Sequence, residues 1–154
     1  SLLAPAALTR ALLPNLRRAC GRVVMMGSVS GLVSFPFLGP YCVSKFGLEA
    51  MTQGLAIEVA PQGIGVSIIA PGPVKTPLWE RTRRAAGDKG GPASGGDTTG
   101  IDAPHGPGPE LLVWHAATAR RPAFRYVVGA GWRFHVLQRL PFWLRRAIVA
   151  KKLR

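Results

Sequence analysis

The chain has 154 residues, 47% of them hydrophobic, and a formal net charge of +13 at pH 7; this composition suits one packed domain and excludes a wholly disordered chain. The charge is uneven, because residues 111–154 contain ten Lys and Arg and no Asp or Glu. With Cys20, Cys42 and three scattered histidines, the sequence predicts no disulfide framework and no metal site, so a reducing, cytoplasmic compartment is expected.

The N-terminal segment, residues 2–18, predicts an amphipathic helix. Its apolar face is formed by Leu3, Ala7, Leu8, Ala11 and Leu12. Pro14 is expected to kink or interrupt this helix, because proline cannot donate the backbone hydrogen bond. Since the sequence starts at Ser1, inside this helical pattern, we expect the natural N-terminus to lie upstream.

Short apolar runs alternate with helical segments along the next part of the chain. Val23 to Met26 is typical of a strand covered on both faces, and a Gly, Ser and Pro-rich loop follows over 28–40. Residues 41–59 return to helical spacing, and 64–70 form a second β-branched, apolar run. This order predicts an α/β fold with a parallel sheet.

The C-terminal half continues the pattern less clearly. A helix over 111–119 and a third strand over 124–128 are predicted, which extends the domain over residues 1–131. Before this helix, residues 81–110 contain eight Gly and four Pro and cannot bury enough apolar surface to order alone. This segment is interpreted either as a flexible substrate lid or as the product of a deletion or altered reading frame.

Residues 132–154 form a basic amphipathic tail in which aromatic and aliphatic residues are interleaved with arginine and lysine. Pro141 argues against one continuous helix. The favoured interpretation is a C-terminal helix packed on the domain, with arginine stems covering apolar surface. Peripheral contact with an anionic membrane is the second, and it would suit a lipophilic substrate. Nucleic acid binding is the least favoured.

Tyr41 and Lys45 form the most informative pair for chemistry. They are four residues apart on a predicted helix and therefore share a face. An ammonium group close to a phenol favours the phenolate, so Tyr41 can act as a general acid/base. Ser28 follows the strand that ends at Met26 and could hydrogen-bond the same substrate oxygen. These residue types predict proton exchange with an alcohol or carbonyl oxygen.

The order and spacing of four motifs closely resemble the short-chain dehydrogenase/reductase family over residues from about 8 to 80. These motifs are Gly21-Arg22-Val23-Val24, Gly27-Ser28-Val29-Ser30-Gly31, Tyr41-Cys42-Val43-Ser44-Lys45-Phe46-Gly47-Leu48-Glu49-Ala50 and Pro71-Gly72-Pro73-Val74-Lys75-Thr76-Pro77. The resemblance implies a Rossmann-type, doubly wound parallel sheet. It also implies Tyr41 as the catalytic acid/base, Lys45 as the nicotinamide-ribose ligand that favours the phenolate, and Ser28 as the group that polarises the substrate oxygen.

The same resemblance implies an NAD or NADP cofactor, which supplies the hydride, and a small alcohol or ketone substrate. The family's cofactor-binding segment corresponds to residues 71–76, where Val74 and Thr76 would approach the carboxamide beside Pro71 and Gly72. Tyr41 and Lys45 also belong to the implied cofactor site. A homo-oligomer formed through helices 2–18 and 41–59 is expected by resemblance.

One departure from the family bears on activity. The family's Thr-Gly-x-x-x-Gly-x-Gly turn, which holds the pyrophosphate, has no counterpart in this sequence. The N-terminal half of the fold would therefore lie before Ser1. The alternative to an NAD(P)-dependent oxidoreductase is a catalytically inactive relic that acts as an interaction or membrane-surface module. Such a relic would expose the edge of the strand Val23 to Met26.

Overall fold

The computed structural model describes residues 2–34, 38–72, 108–130 and 132–151. The expectations for Val74, Thr76 and residues 81–107 lie outside these ranges. The helices and strands in chain order are α1 (Leu3–Ala19), β1 (Arg22–Met26), α2 (Gly39–Val59), β2 (Gly65–Pro71), α3 (Pro109–Thr118), β3 (Arg125–Val128), α4 (Trp132–Arg139) and α5 (Phe142–Lys151). Short 3-10 turns cover Val29–Gly31 and Ala60–Gln62.

The described strands form one parallel sheet in the order β1-β2-β3, as the alternating pattern predicts. In the register, Val23 pairs with Val66 and Ile69 pairs with Tyr126. The central strand β2 is the most deeply buried of the three, because it has a neighbour on each side. β1 lies at an edge of this sheet, and its last residue, Met26, is exposed. The expectation that β1 is covered on both faces is therefore wrong for Met26.

The core is centred where α2 packs against the sheet. Met25 of β1, Leu48 of α2 and Ile68 of β2 form the buried cluster. The side chains packed around it are those of Leu2, Val23, Met51, Leu55 and Phe124. The α2 members of this set recur at helical spacing, so one face of α2 is held against the sheet.

Helix α1 differs from its prediction in two ways. The helix is continuous through Pro14, which lies at an exposed position of the helix. The predicted apolar face points to solvent, since Leu3, Leu8 and Leu12 are all exposed. The face toward the domain instead carries the buried residue of α1, Thr9. The periodicity of residues 2–18 correctly predicts a helix, but it does not predict which face of that helix is buried.

The tail contains two helices, α4 and α5, which are separated at Leu140 and Pro141. This break confirms that Pro141 prevents one continuous helix. Among the described residues, no helix combines the length and the apolar character needed to cross a bilayer.

Candidate active site

The chain leaves β1 at the carboxyl edge of the sheet and immediately forms a tight turn. The backbone N–H of Gly27 donates to the carbonyl oxygen of Ile69 at 2.7 Å, which ties the end of β1 to β2. Ser28 has extended backbone and caps the following 3-10 turn, its Oγ accepting from the N–H of Ser30 at 3.2 Å. This bond uses Oγ as an acceptor, so the hydroxyl hydrogen of Ser28 can still be donated.

The N-terminal turns of α2 carry the tyrosine and lysine. Pro40 lies in the first turn, where its missing N–H costs nothing, and the helix starts two residues before Tyr41. Lys45 follows one turn later, and its Nζ lies 5.9 Å from the centroid of the Tyr41 ring. The same Nζ donates a hydrogen bond of 3.0 Å to the carbonyl oxygen of Met26. The two side chains thus share a face, as their spacing predicts.

The bond to Met26 anchors Lys45 to the end of β1, two residues before Ser28. Tyr41 and Lys45 on α2 and Ser28 after β1 therefore lie at the same edge of the sheet, each half-buried. Partial burial removes water from the ammonium group and lowers the pKa of Lys45 from its usual value. Sequence analysis missed Met26 as a partner, because a backbone carbonyl carries no residue-type signal.

Gly31 is a second feature that the motif alone does not explain. A Cβ built on Gly31 would lie 2.7 Å from the carbonyl oxygen of Lys45, closer than side chains approach backbone oxygens. Glycine therefore allows the 3-10 turn after Ser28 to pack directly on α2. This contact helps to set the distance between the end of β1 and the helix that carries Tyr41.

The end of β2 forms the next part of the same edge. The backbone N–H of Gly72 donates to the carbonyl oxygen of Val128 at 2.6 Å. A Cβ on Gly72 would lie 2.6 Å from the carbonyl oxygen of Gly129, so the two chain segments approach too closely for any side chain. Pro71 and Gly72 are thus held at this edge by β3.

An ion pair connects α2 to β3. Arg125 donates from both Nε and Nη2 to Oε1 of Glu49, the Nε bond measuring 2.6 Å. The other carboxylate oxygen, Oε2, is buried and has no hydrogen-bond partner among the described residues. Glu49 lies one turn after Lys45, so this pair holds the face of α2 that carries Lys45 against the sheet. Sequence analysis did not predict it, because the residues are 76 positions apart.

Comparisons with known proteins identify the family of the chain. The family model described as short chain dehydrogenase matches residues 1–87. The uncharacterized oxidoreductase YbbO of Escherichia coli K12 is 40% identical over 138 residues, covering 86% of this chain and 49% of YbbO. Mouse retinol dehydrogenase 5 is 50% identical over 76 residues, covering 49% of this chain and 24% of that protein.

Solved structures show the same relationship. L-sorbose reductase from Gluconobacter frateurii, solved with NADPH and L-sorbose, matches with a TM-score of 0.64 and 27% identity. The match covers 86% of this chain and 55% of the reductase. The chain belongs to the short-chain dehydrogenase family, and its sheet and helices have the Rossmann-type α/β architecture of that family. It spans about half the length of the YbbO relative.

Proposed function

We propose that the protein is an NAD(P)-dependent oxidoreductase that interconverts an alcohol and a carbonyl compound, with Tyr41 as the general acid/base. The observation that carries the proposal is the placement of Tyr41, Lys45 and Ser28 at one carboxyl edge of a parallel sheet. Ligands of open α/β sheets bind outside this edge. Membership in the short-chain dehydrogenase family supports the same reaction class.

Each side chain has a distinct role in the proposal. Tyr41 gives a proton to the carbonyl oxygen during reduction and removes it from the alcohol during oxidation. The ammonium group of Lys45, 5.9 Å from the centroid of the Tyr41 ring, places a positive charge beside the residue that transfers the proton. The hydroxyl of Ser28 donates to the substrate oxygen and orients it, since its Oγ is already held by the N–H of Ser30.

The described residues fit the nicotinamide end of a dinucleotide. Gly72 lets the end of β2 lie directly against Gly129, because a Cβ there would collide with the Gly129 carbonyl oxygen. Lys45 would hold the ribose hydroxyls, and Pro71 and Gly72 would border the carboxamide, with Val74 and Thr76 following along the chain. The cofactor supplies the hydride when it is bound. The choice between NAD and NADP follows from other parts of the fold.

The substrate is proposed as a small molecule with an alcohol or ketone group. Relatives are named for alcohols of different polarity: human 17-beta-hydroxysteroid dehydrogenase type 1 and mouse retinol dehydrogenase 5 for lipophilic ones, and L-sorbose reductase for a sugar. The substrates that these names indicate share an alcohol group or the corresponding carbonyl group. The proposal is therefore limited to that functional group.

The test compares Tyr41→Phe with Tyr126→Phe. The first substitution removes the phenol oxygen that would transfer the proton, so turnover should fall by about 10²–10⁴-fold while cofactor affinity stays nearly unchanged. Tyr126, on β3, is the matched control, because its hydroxyl accepts a hydrogen bond from the N–H of Ala123 and lies outside the proposed site. Retained turnover in Tyr41→Phe would refute the assignment. Loss of turnover in both variants would point to a structural effect.

A homo-oligomer through α1 and α2 is proposed from their exposed apolar side chains. Leu8 and Leu12 on α1 and Val43 and Ile57 on α2 are exposed. Exposed apolar helix faces of this kind are typical of contacts with another subunit. Sedimentation equilibrium of the wild type and of Leu8→Glu tests this, since a charge in the contact should shift the protein toward the monomer.

A further inference from the structure

The start of α5 presents two large aromatic side chains to solvent. Phe142 and Trp143 are 73% and 69% exposed. Arg146 is exposed one turn after Phe142, on the same side of the helix. Arg139, at the end of α4, is also exposed. We call these four residues, Phe142, Trp143, Arg139 and Arg146, the tail patch.

The tail patch lies in a strongly cationic part of the chain. Residues 132–154 contain seven Lys and Arg and no Asp or Glu. Among the side chains that the structure describes, no ion pair involves Arg139, Arg145 or Arg146. Arg145 has a buried Nε that makes no hydrogen bond with the described residues. The composition of residues 132–154 gives the tail an excess of positive charge that an external anionic surface can neutralise.

Packing on the domain does not account for the aromatic pair. A Phe or Trp side chain buries about 150–250 Å² when it packs in a core, so a helix docked on the domain would place these residues inward. In α5 they point to solvent instead. If the tail packs on the domain as the sequence analysis favours, Phe142 and Trp143 are not part of that contact.

We propose that the tail patch binds the surface of an anionic lipid bilayer. Aromatic side chains insert at the boundary between head groups and acyl chains, and arginines bind the anionic head groups. The aliphatic residues Val136 on α4 and Ile148 on α5 are exposed as well. Acyl chains can cover aliphatic side chains, whereas a nucleic acid offers them no matching surface. The exposed aliphatic residues therefore favour lipid over nucleic acid.

The experiment measures sedimentation of the full chain with phosphatidylcholine vesicles, with and without phosphatidylserine. We expect binding that requires phosphatidylserine and weakens as salt is added. The double variant Phe142→Ser/Trp143→Ser should bind the vesicles at least about tenfold more weakly than the wild type does. Replacing Arg139 and Arg146 with Gln should weaken binding about fivefold for each arginine.

Trp114→Ser is the matched control, because Trp114 on α3 is 70% exposed, as much as Trp143. It should bind like the wild type. An equal loss in Trp114→Ser, or equal binding to neutral vesicles, would overturn the proposal. Binding to a single-stranded oligonucleotide without binding to phosphatidylserine vesicles would also overturn it and assign the patch to nucleic acid. If the aromatic variant fails to fold by circular dichroism, the arginine variants and the salt dependence decide the outcome.

Discussion

Replacing Glu49 with Gln should destabilise the protein by breaking the link between α2 and β3. The carboxylate is 6% exposed and accepts from two nitrogens of Arg125, whose side chain is 30% exposed. Hydrogen bonds to charged groups contribute about 1.5–3 kcal/mol, and loss of one partner leaves the other charge buried. Because the freed guanidinium can regain some water, we expect the free energy of unfolding to fall by about 2 kcal/mol.

Urea unfolding of the purified chain measures this change from the transition midpoint at constant slope. Glu58→Gln is the matched control, since Glu58 is exposed on the same helix and should change stability by less than about 0.5 kcal/mol. The double variant Glu49→Met, Arg125→Met should recover most of the loss, because apolar residues can replace a buried pair without leaving an unpaired charge. Equal midpoints for Glu49→Gln and Glu58→Gln would refute the reasoning.

Two further predictions concern the glycine and the lysine of the site. Gly31→Ala should lower the free energy of unfolding by about 1–3 kcal/mol, because its Cβ would meet the carbonyl oxygen of Lys45. Gly54→Ala, with open space around its Cβ, should raise the free energy of unfolding by about 0.5–1 kcal/mol. Urea midpoints of the two variants that move in the same direction would contradict this prediction. The pKa of Lys45 is lower in the folded state than its usual 10.5, so the folded chain binds fewer protons between those values. The unfolding free energy of the wild type, measured relative to that of Lys45→Met, should therefore rise as the pH increases toward 10.5. A slope of the opposite sign between pH 7 and about 10 would exclude burial of Lys45 as the cause of its lowered pKa.

Residue patterns along the chain were enough to predict the local elements and the family. Helical and strand periodicity depend on neighbours a few residues away, so the α/β order and the parallel sheet could be predicted. The spacing of Tyr41 and Lys45 determined that they share a face of α2. The motifs around them also determined the family, which the family model confirms. Their roles in catalysis stay predictions.

How these elements meet depends on three-dimensional packing, which the residue patterns do not contain. The bond from Lys45 to the carbonyl of Met26, the pair between Glu49 and Arg125, and the close approach at Gly31 join segments that are distant in the chain. It also decided that the apolar face of α1 and the aromatic pair of α5 point outward. A periodic pattern indicates that a helix has an apolar face, but three-dimensional packing determines what that face contacts. For the same reason, backbone carbonyls and steric limits on a Cβ leave no signal in residue type.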